Sequence, residues 1–240
     1  MKTTAIILSA GNGSRMNSKI KKQYMLVDGK PIIWYTLKAF QESAVDEIVL
    51  VTGKNEIGYC RELIEKSAFT KVKYIVAGGK ERYDSVYEGL LETKESEYVL
   101  IHDGARPLVS QSVIKQSIDK VQKCKACVVA VRVKDTIKRV NGNGEVVETP
   151  NRNELWAIQT PQTFEYKLVR ECYEKMFDDS TEGITDDAMV VEKYSNKKVV
   201  VVEGEYSNVK ITTPEDIDTA EKILKKVSKK SKKSVDTQND

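Results

Sequence analysis

The chain has 240 residues, 40% of them hydrophobic and 31% charged, so it can bury a sizeable core under a polar surface. A formal net charge of only +3 excludes a global basic field for nucleic acid. The single N-terminal apolar run, AIILSA, breaks at Gly11, which is too short for a membrane span and lacks a cleavage-site pattern. We therefore expect a soluble chain of the cytoplasm that binds neither nucleic acid nor membrane.

Short apolar runs alternate with longer amphipathic stretches along the chain. The runs are rich in Val and Ile, as strands covered on both faces are: TAIILS, EIVLV (47–51), KYIVA (73–77), YVLIH (98–102), ACVVAVRV (126–133) and KVVVVEG (198–204). The stretches between them predict helices over about 31–42, 56–67, 82–93, 110–123, 165–177, 186–195 and 214–228. The alternation predicts an α/β fold with a Rossmann-like, doubly wound, mostly parallel sheet.

One segment, at about residues 135–161, breaks this alternation. The tetrapeptide NGNG (141–144) lies between two β-compatible stretches and predicts a hairpin. A projecting hairpin has unpaired edges that a partner commonly covers, so we expect a β-arm that forms a homodimer. A hairpin folded back on its own domain is the alternative.

No linker divides the chain, so we expect a single domain over residues 1–227. The segment 228–240 completes a lysine-rich C-terminal end, and we expect it to be a disordered, solvated tail. A patch for nucleic acid or membrane is the alternative.

The four cysteines do not suggest a metal site. Cys124 and Cys127 form one C-x-x-C, but a zinc site would need a second pair or histidines, and His102 is the only histidine. We expect buried structural cysteines, kept reduced as in the cytosol.

A glycine-rich loop follows the first predicted strand. Gly11 and Gly13 allow backbone amides to approach a phosphate, and Arg15 and Lys22 add positive charge. Met16 stands where a dinucleotide fingerprint needs a small residue, and no G-K-[ST] marks a Walker loop. The loop therefore predicts a site for a triphosphate that loses pyrophosphate.

Two further polar segments follow predicted strands. In HDGARP (102–107), Asp103 is suited to organise Mg²⁺ together with substrate phosphates, although a turn aspartate that caps loop amides is the alternative. The segment GGKERYDS (78–85) opens a helix and is either a ligand loop or a plain loop with an N-cap. Because no Ser-His-Asp triad or nucleophile elbow can be built, the acceptor substrate must bring its own nucleophile, for which a phosphate oxygen would serve.

Eight motifs occur in order over about residues 4–224: LSAGNGSRM, KKQY, AGGKERYDSV, VLIHDGARP, KDTIKRV, ELWAIQTPQTF, GITDDA and YSNVKITTPEDI. Together they resemble the 2-C-methyl-D-erythritol 4-phosphate cytidylyltransferase family of non-mevalonate isoprenoid biosynthesis. The resemblance implies transfer of CMP from CTP to methylerythritol 4-phosphate, with Mg²⁺ as cofactor. Three alternatives are a ribitol 5-phosphate cytidylyltransferase of cell-wall synthesis, a silent nucleotide-binding subunit, and a nucleic-acid-binding protein acting through the tail.

The resemblance also implies roles for individual residues. Nucleotide-binding positions are Ala10, Gly11, Gly13, Gly79, Arg82, Ser85, Asp103 and Gly104, with Asp103 also near the metal. Positions that bind the acceptor are Arg106, Thr136, Arg152, Thr160, Thr185 and Lys210. The catalytic cations are Arg15, Lys22, Arg152 and Lys210. In this family the positions matched by Arg152 and Thr160 lie on the arm and act in the partner's site.

Overall fold

The structure, a computed structural model, describes residues 1–11 and 21–224. The strands in these ranges are β1 (Thr3–Ser9), β2 (Leu26–Val27), β3 (Lys30–Pro31), β4 (Glu47–Thr52), β5 (Val72–Ala77), β6 (Tyr98–Asp103), β7 (Ala126–Arg132), β8 (Arg139–Val140), β9 (Val146–Glu148), β10 (Trp156–Glu165) and β11 (Val200–Glu203). The α-helices are α1 (Ile32–Gln41), α2 (Ile57–Lys66), α3 (Arg82–Leu91), α4 (Gln111–Cys124), α5 (Tyr166–Asp178), α6 (Asp187–Tyr194) and α7, which is helical over 214–224. Gly13, Arg15 and the tail at 228–240 lie outside the described residues.

Seven of the strands form the central sheet, in the order β11-β7-β10-β6-β1-β4-β5. The pairs β1–β4, β1–β6, β4–β5 and β11–β7 are parallel, and β10 runs antiparallel to both of its neighbours. The chain leaves β1 to one side for β4 and β5 and returns to its other side for β6. This reversal creates a topological switch point between β1 and β6, where such sheets bind ligands. The predicted mostly parallel α/β sheet is confirmed.

Apolar side chains cover both faces of the sheet, as the continuous hydrophobic runs predict. One face packs against α1 and α4, for example through Phe40 and Ile114. The opposite face packs against α3, α5 and α6, for example through Leu90, Tyr173 and Val190. Burial on both faces explains why these strands show no polar alternation. No helix among the described residues is long and apolar enough to cross a membrane.

The predicted hairpin is present as β8 and β9, which pair only with each other in an antiparallel two-stranded sheet. Its turn is closed by Asn141, whose Oδ1 accepts the amides of Asn143 and Glu145 at 3.0 Å each. Gly144 takes a φ of +80°, a conformation that favours glycine. Residues 134–149 are exposed, so the hairpin projects from the sheet as the predicted arm.

The strand β10 extends further than the sequence indicates. The predicted arm range ends at 161, inside a strand that runs from Trp156 to Glu165 and enters the sheet between β6 and β7. Its pairing with β7 shifts register between Ile158 and Gln162, and this irregular stretch is polar. Because polar residues interrupt it, β10 lacks the continuous apolar run that marks the other strands of the sheet.

Candidate active site

A cavity of about 470 Å³ opens at the carboxyl ends of β1, β4, β5 and β6. The basic residues that line it are Lys21, Lys22, Lys54, Lys80, Arg82 and Lys210. Its acidic lining residues are Glu81 and Asp103. The excess of positive charge suits a polyanionic ligand such as a nucleoside triphosphate.

The start of the glycine loop is held by a buried side chain, that of Gln23. Its Nε2 donates hydrogen bonds to the carbonyl oxygens of Ser9 at 2.7 Å and Gly11 at 2.9 Å. Gln23 is only 2% exposed, so water does not compete for these bonds. Ala10, Gly11 and Lys22 all line the cavity. Gln23 was not predicted as a site residue, and its only signal in the sequence is its place in the motif KKQY.

The second predicted loop, after β5, touches the first. A Cβ atom placed on Gly78 would lie 2.5 Å from both the Ala10 Cβ and the Ser85 Oγ, so only glycine allows this approach. A Cβ on Gly79 would lie 2.2 Å from the Asp84 Cβ. The helix that follows begins with a capping box between Glu81 and Asp84. The segment is therefore an N-cap and a cavity wall at once, and the two interpretations were not exclusive.

Three cations surround the Asp103 carboxylate. Lys210 Nζ lies 2.9 Å and Arg106 Nε 3.5 Å from Oδ2, and Arg82 Nε lies 3.6 Å from Oδ1. Burial disfavours the charged carboxylate, but Arg82, Lys210 and Arg106 outweigh it and hold the pKa of Asp103 well below its usual range. Asp103 is therefore a permanent anion that fixes the positions of two cavity cations.

Arg82 is held from its other side by Asp187, at the start of α6. Its Nη1 and Nη2 donate to the two Asp187 oxygens at 2.8 Å each, and the Tyr173 hydroxyl donates to Asp187 Oδ1 at 2.6 Å. Burial opposes the charge on Arg82, but the attraction of Asp187 raises the arginine's pKa. Asp187 is 0% exposed and was not predicted as a site residue; its only signal is the motif GITDDA.

Three predicted site residues adjoin Asp103 but do not line the cavity. The Gly104 amide is bonded to the β1 backbone, and the Arg106 side chain is 11% exposed. Thr160, 4% exposed, accepts a hydrogen bond from the Asp103 amide at 3.1 Å, and its hydroxyl lies 2.9 Å from His102 Nδ1. The Thr160 hydroxyl is therefore used within its own chain.

The remaining predicted acceptor residues lie apart from the cavity within one chain. Thr136 and Arg152 are exposed at the arm, where Arg152 Nη1 donates to the Lys134 carbonyl at 2.9 Å. Thr185 is exposed before α6, with its hydroxyl 3.6 Å from the Met189 sulfur. Since both residues lie away from the cavity of their own chain, a site at the cavity could use Thr136 and Arg152 only from the arm of a second chain.

The donor chemistry at Asp103 fits a magnesium ion held mainly by substrate. Mg²⁺ is commonly bound through one or two carboxylates, with phosphates and waters completing its shell. Asp103 supplies one carboxylate at the cavity, and no group of three or more acidic, histidine or cysteine side chains suited to a metal occurs in the described part of the chain. A metal at this position would therefore depend on phosphate oxygens for most of its ligands.

Comparison with known proteins identifies the relatives of the chain. The family model of 2-C-methyl-D-erythritol 4-phosphate cytidylyltransferase, IspD, matches residues 3–226. A protein of that name from Lachnoclostridium phytofermentans is 49% identical over 225 residues, covering 93% of this chain and 97% of the relative. One from Lachnospira eligens is 50% identical over 224 residues, covering 92% and 99%. The crystal structure of 4-diphosphocytidyl-2C-methyl-D-erythritol synthase from Anaerococcus prevotii superposes with a TM-score of 0.84 at 38% identity, covering 93% and 96%.

Proposed function

The chain belongs to the 2-C-methyl-D-erythritol 4-phosphate cytidylyltransferase family, and from this premise we propose how its cavity transfers CMP from CTP to 2-C-methyl-D-erythritol 4-phosphate. The products are 4-diphosphocytidyl-2-C-methyl-D-erythritol and pyrophosphate. The observation that carries the assignment of the site is the basic cavity at the switch point, with the Asp103–Lys210 pair at its wall. The relatives share this name, which favours methylerythritol phosphate over ribitol phosphate as acceptor.

The reaction needs charge stabilisation and positioning rather than a protein nucleophile. An acceptor phosphate oxygen attacks the α-phosphorus of CTP, forming a new P–O bond. The bond from the α-phosphorus to the bridging β-oxygen breaks in line with the attack, and its electron pair leaves on pyrophosphate. Lys22 and Arg15 stabilise the triphosphate and its leaving group, and Lys210 stabilises the negative charge that develops at the α-phosphate.

The two glycine segments hold the nucleotide in this proposal. The backbone at Ala10 and Gly11 faces the triphosphate, and Gly13 is a further nucleotide-binding position. The second loop, with Gly79, Arg82 and Ser85, recognises the cytosine and ribose. The tight contact that Gly78 permits between the loops supports this arrangement, because it fixes the base pocket relative to the phosphate pocket. The backbone at Gly104 borders the same nucleotide.

Asp103 would hold Mg²⁺ together with the phosphates of CTP. When bound, the ion neutralises phosphate charge and polarises the bonds to the α-phosphorus. The chain's own contribution is the buried, ionised carboxylate and the three cations that keep it in place.

The arm supplies the acceptor site of a homodimer. Its exposed apolar side chains support a covering partner: Ile137, Val140, Val146 and Val147 are 42–59% exposed. An isolated two-stranded hairpin is also marginally stable in water. Thr136 and Arg152 belong to the arm region, and Arg106, Thr185 and Lys210 complete the acceptor phosphate site. Four free cysteines support a reducing compartment, and we place the enzyme in the cytoplasm.

The test of the function is pyrophosphate release with CTP and Mg²⁺, run in parallel with methylerythritol 4-phosphate and ribitol 5-phosphate. We expect turnover with the first and little with the second; the reverse result would contradict the proposal. Lys22→Ala should lower kcat by about 10²-fold or more, the scale for one preorganised stabiliser. The control is Lys94→Ala, an exposed lysine that precedes β6 at the opposite end of the strand from the cavity.

The arm is tested by sedimentation and by mixing variants. Val146→Glu should yield monomers, whereas Val201→Glu, the same change at an exposed position of β11, should not. Lys22→Ala mixed with Arg152→Ala should recover about a quarter of wild-type turnover, because half of the dimers then contain one intact shared site. Turnover no higher than that of the separate variants would contradict a site built from two chains.

A further inference from the structure

A closed ring of hydrogen bonds lies behind the cavity wall and joins three separate parts of the chain. His102 Nε2 lies 3.2 Å from the Arg106 carbonyl, and His102 Nδ1 lies 2.9 Å from the Thr160 hydroxyl. The Thr160 carbonyl accepts from Asn208 Nδ2 at 2.9 Å. The Asn208 carbonyl accepts from Arg106 Nη1 at 2.8 Å, which closes the ring.

The hydrogen-bond partners determine the protonation of His102. A carbonyl can only accept, so Nε2 must carry a proton that it donates to Arg106. The Thr160 hydroxyl accepts from the Asp103 amide and has its own proton left to donate to Nδ1. Both ring nitrogens of His102 are then used, Nε2 as a donor and Nδ1 as an acceptor, and the side chain is completely buried. It has no free nitrogen with which to act as a general base.

The ring fixes the positions of Asp103 and Lys210, the ion pair at the cavity wall. Asp103 follows His102 directly, and its amide is bonded to Thr160 within the ring. Lys210 is two residues beyond Asn208, and its ammonium lies 2.9 Å from the Asp103 carboxylate. Asn208 is 0% and Thr160 4% exposed, so these bonds are shielded from water and rigid.

We propose that His102, Thr160 and Asn208 are positioning residues whose closed ring sets the placement of Asp103 and Lys210 for transfer at the α-phosphorus. The inference rests on the proposed function of the cavity and adds residues for which the sequence indicates no such role. It gives the only histidine of the chain a structural part in catalysis. It also means that the Thr160 hydroxyl binds groups of its own chain and does not bind the acceptor.

Two variants break the same link of the ring from opposite sides. Thr160→Val keeps the shape of the side chain and removes its hydroxyl. His102→Gln keeps an amide nitrogen that can donate to Arg106 at the position of Nε2 but no longer places an acceptor at the position of Nδ1, opposite the Thr160 hydroxyl. The control is Thr163→Val in the same strand: Thr163 is 0% exposed, and among the described residues its hydroxyl interacts with the Cys127 thiol but forms no hydrogen bond to an oxygen or nitrogen atom.

The measurements are kcat, the KM values of CTP and acceptor, and the melting temperature of each variant. We expect Thr160→Val and His102→Gln each to lower kcat by about 10- to 100-fold, because small misplacements of reacting groups cost this much. Thr163→Val should stay near wild type, and Thr160→Ser, which keeps the hydroxyl, should restore the turnover that Thr160→Val loses. Because both variants break one link, the double variant should be no slower than the slower single variant.

Two results would overturn the proposal. One is that the kcat of each single variant lies within twofold of the kcat of Thr163→Val. The other is an acceptor KM raised by Thr160→Val alone, with effects that multiply in the double variant, since this would make the hydroxyl a direct acceptor ligand. An inactive wild-type enzyme would instead refute the proposed function, so the two failures are distinguishable.

Discussion

Removal of the Asp187 carboxylate should destabilise the fold strongly, although Asp187 was not among the predicted site residues. Asp187→Ala deletes two bonds of 2.8 Å to Arg82 and the 2.6 Å bond from Tyr173. Among the described residues the arginine then retains Asp103, at 3.6 Å, as its sole ionic partner, and the fully buried Tyr173 hydroxyl loses its acceptor. The change therefore leaves the arginine's charge with one more distant partner and a buried hydroxyl without its acceptor.

The size of the effect follows from the burial of the pair. Removing one partner of a buried ion pair costs about 3–5 kcal/mol. The Arg82 side chain is 31% exposed, so water recovers part of its solvation, and we expect about 3 kcal/mol, the low end of that range. For a chain of this length that corresponds to a melting temperature lower by roughly 6–12 °C.

The assay is thermal unfolding followed by circular dichroism, at one fixed protein concentration because melting of an oligomer depends on concentration. The control is Asp119→Ala. Asp119 pairs with Lys115 on the surface of α4, with side chains 53% and 72% exposed, and such pairs contribute about 0.3–0.5 kcal/mol. If Asp187→Ala melted within about 1 °C of this control, the Arg82 clamp would contribute nothing of the expected size, and the reasoning would be refuted.

Three further perturbations probe the loops and the core. Gln23→Ala should weaken CTP binding in calorimetry by about 10- to 30-fold, since two buried hydrogen bonds are lost; affinity equal to that of the exposed Gln116→Ala would contradict this. Gly78→Ala should lower the free energy of unfolding by about 1–3 kcal/mol, because the added Cβ would lie 2.5 Å from its neighbours. Gly142→Ala, with open space around its Cβ, should leave it unchanged, and equal denaturation midpoints for the two variants would contradict the close contact at Gly78. Burial raises the pKa of three of the four cysteines, so iodoacetamide at pH 8 should label Cys124 first, as read by mass spectrometry; early labelling of a buried cysteine would contradict the packing.

The parallel strands could be predicted because their environment leaves a local signature. A strand such as β6 is buried on both faces, and its sequence YVLIH shows this directly. The cavity followed from the same pattern, since the polar residues after β1, β5 and β6 must meet at one edge of the sheet. Ala10, Gly79 and Asp103 do line a single cavity.

Pairings between distant residues could not be predicted from local patterns. Arg82 and Asp187 are 105 positions apart, and either one alone is an ordinary charged residue near a helix start. In β10, Gln159, Thr160 and Gln162 replace apolar residues because their hydrogen-bond partners come from other segments. Nothing in the local sequence signals that such polar side chains will be buried, so the strand was partly assigned to the arm.

The central claim is that the cavity at the switch point performs the transfer, and Lys210 tests it most directly. The measurement is kcat for pyrophosphate release from CTP and methylerythritol 4-phosphate by Lys210→Ala, with Lys94→Ala as the matched control. We predict a loss of about 10²-fold or more for Lys210→Ala, measured at a temperature at which the variant is folded, and no more than a twofold change for the control. Near-normal kcat in a folded Lys210→Ala enzyme would contradict the placement of the reaction at the Asp103–Lys210 pair.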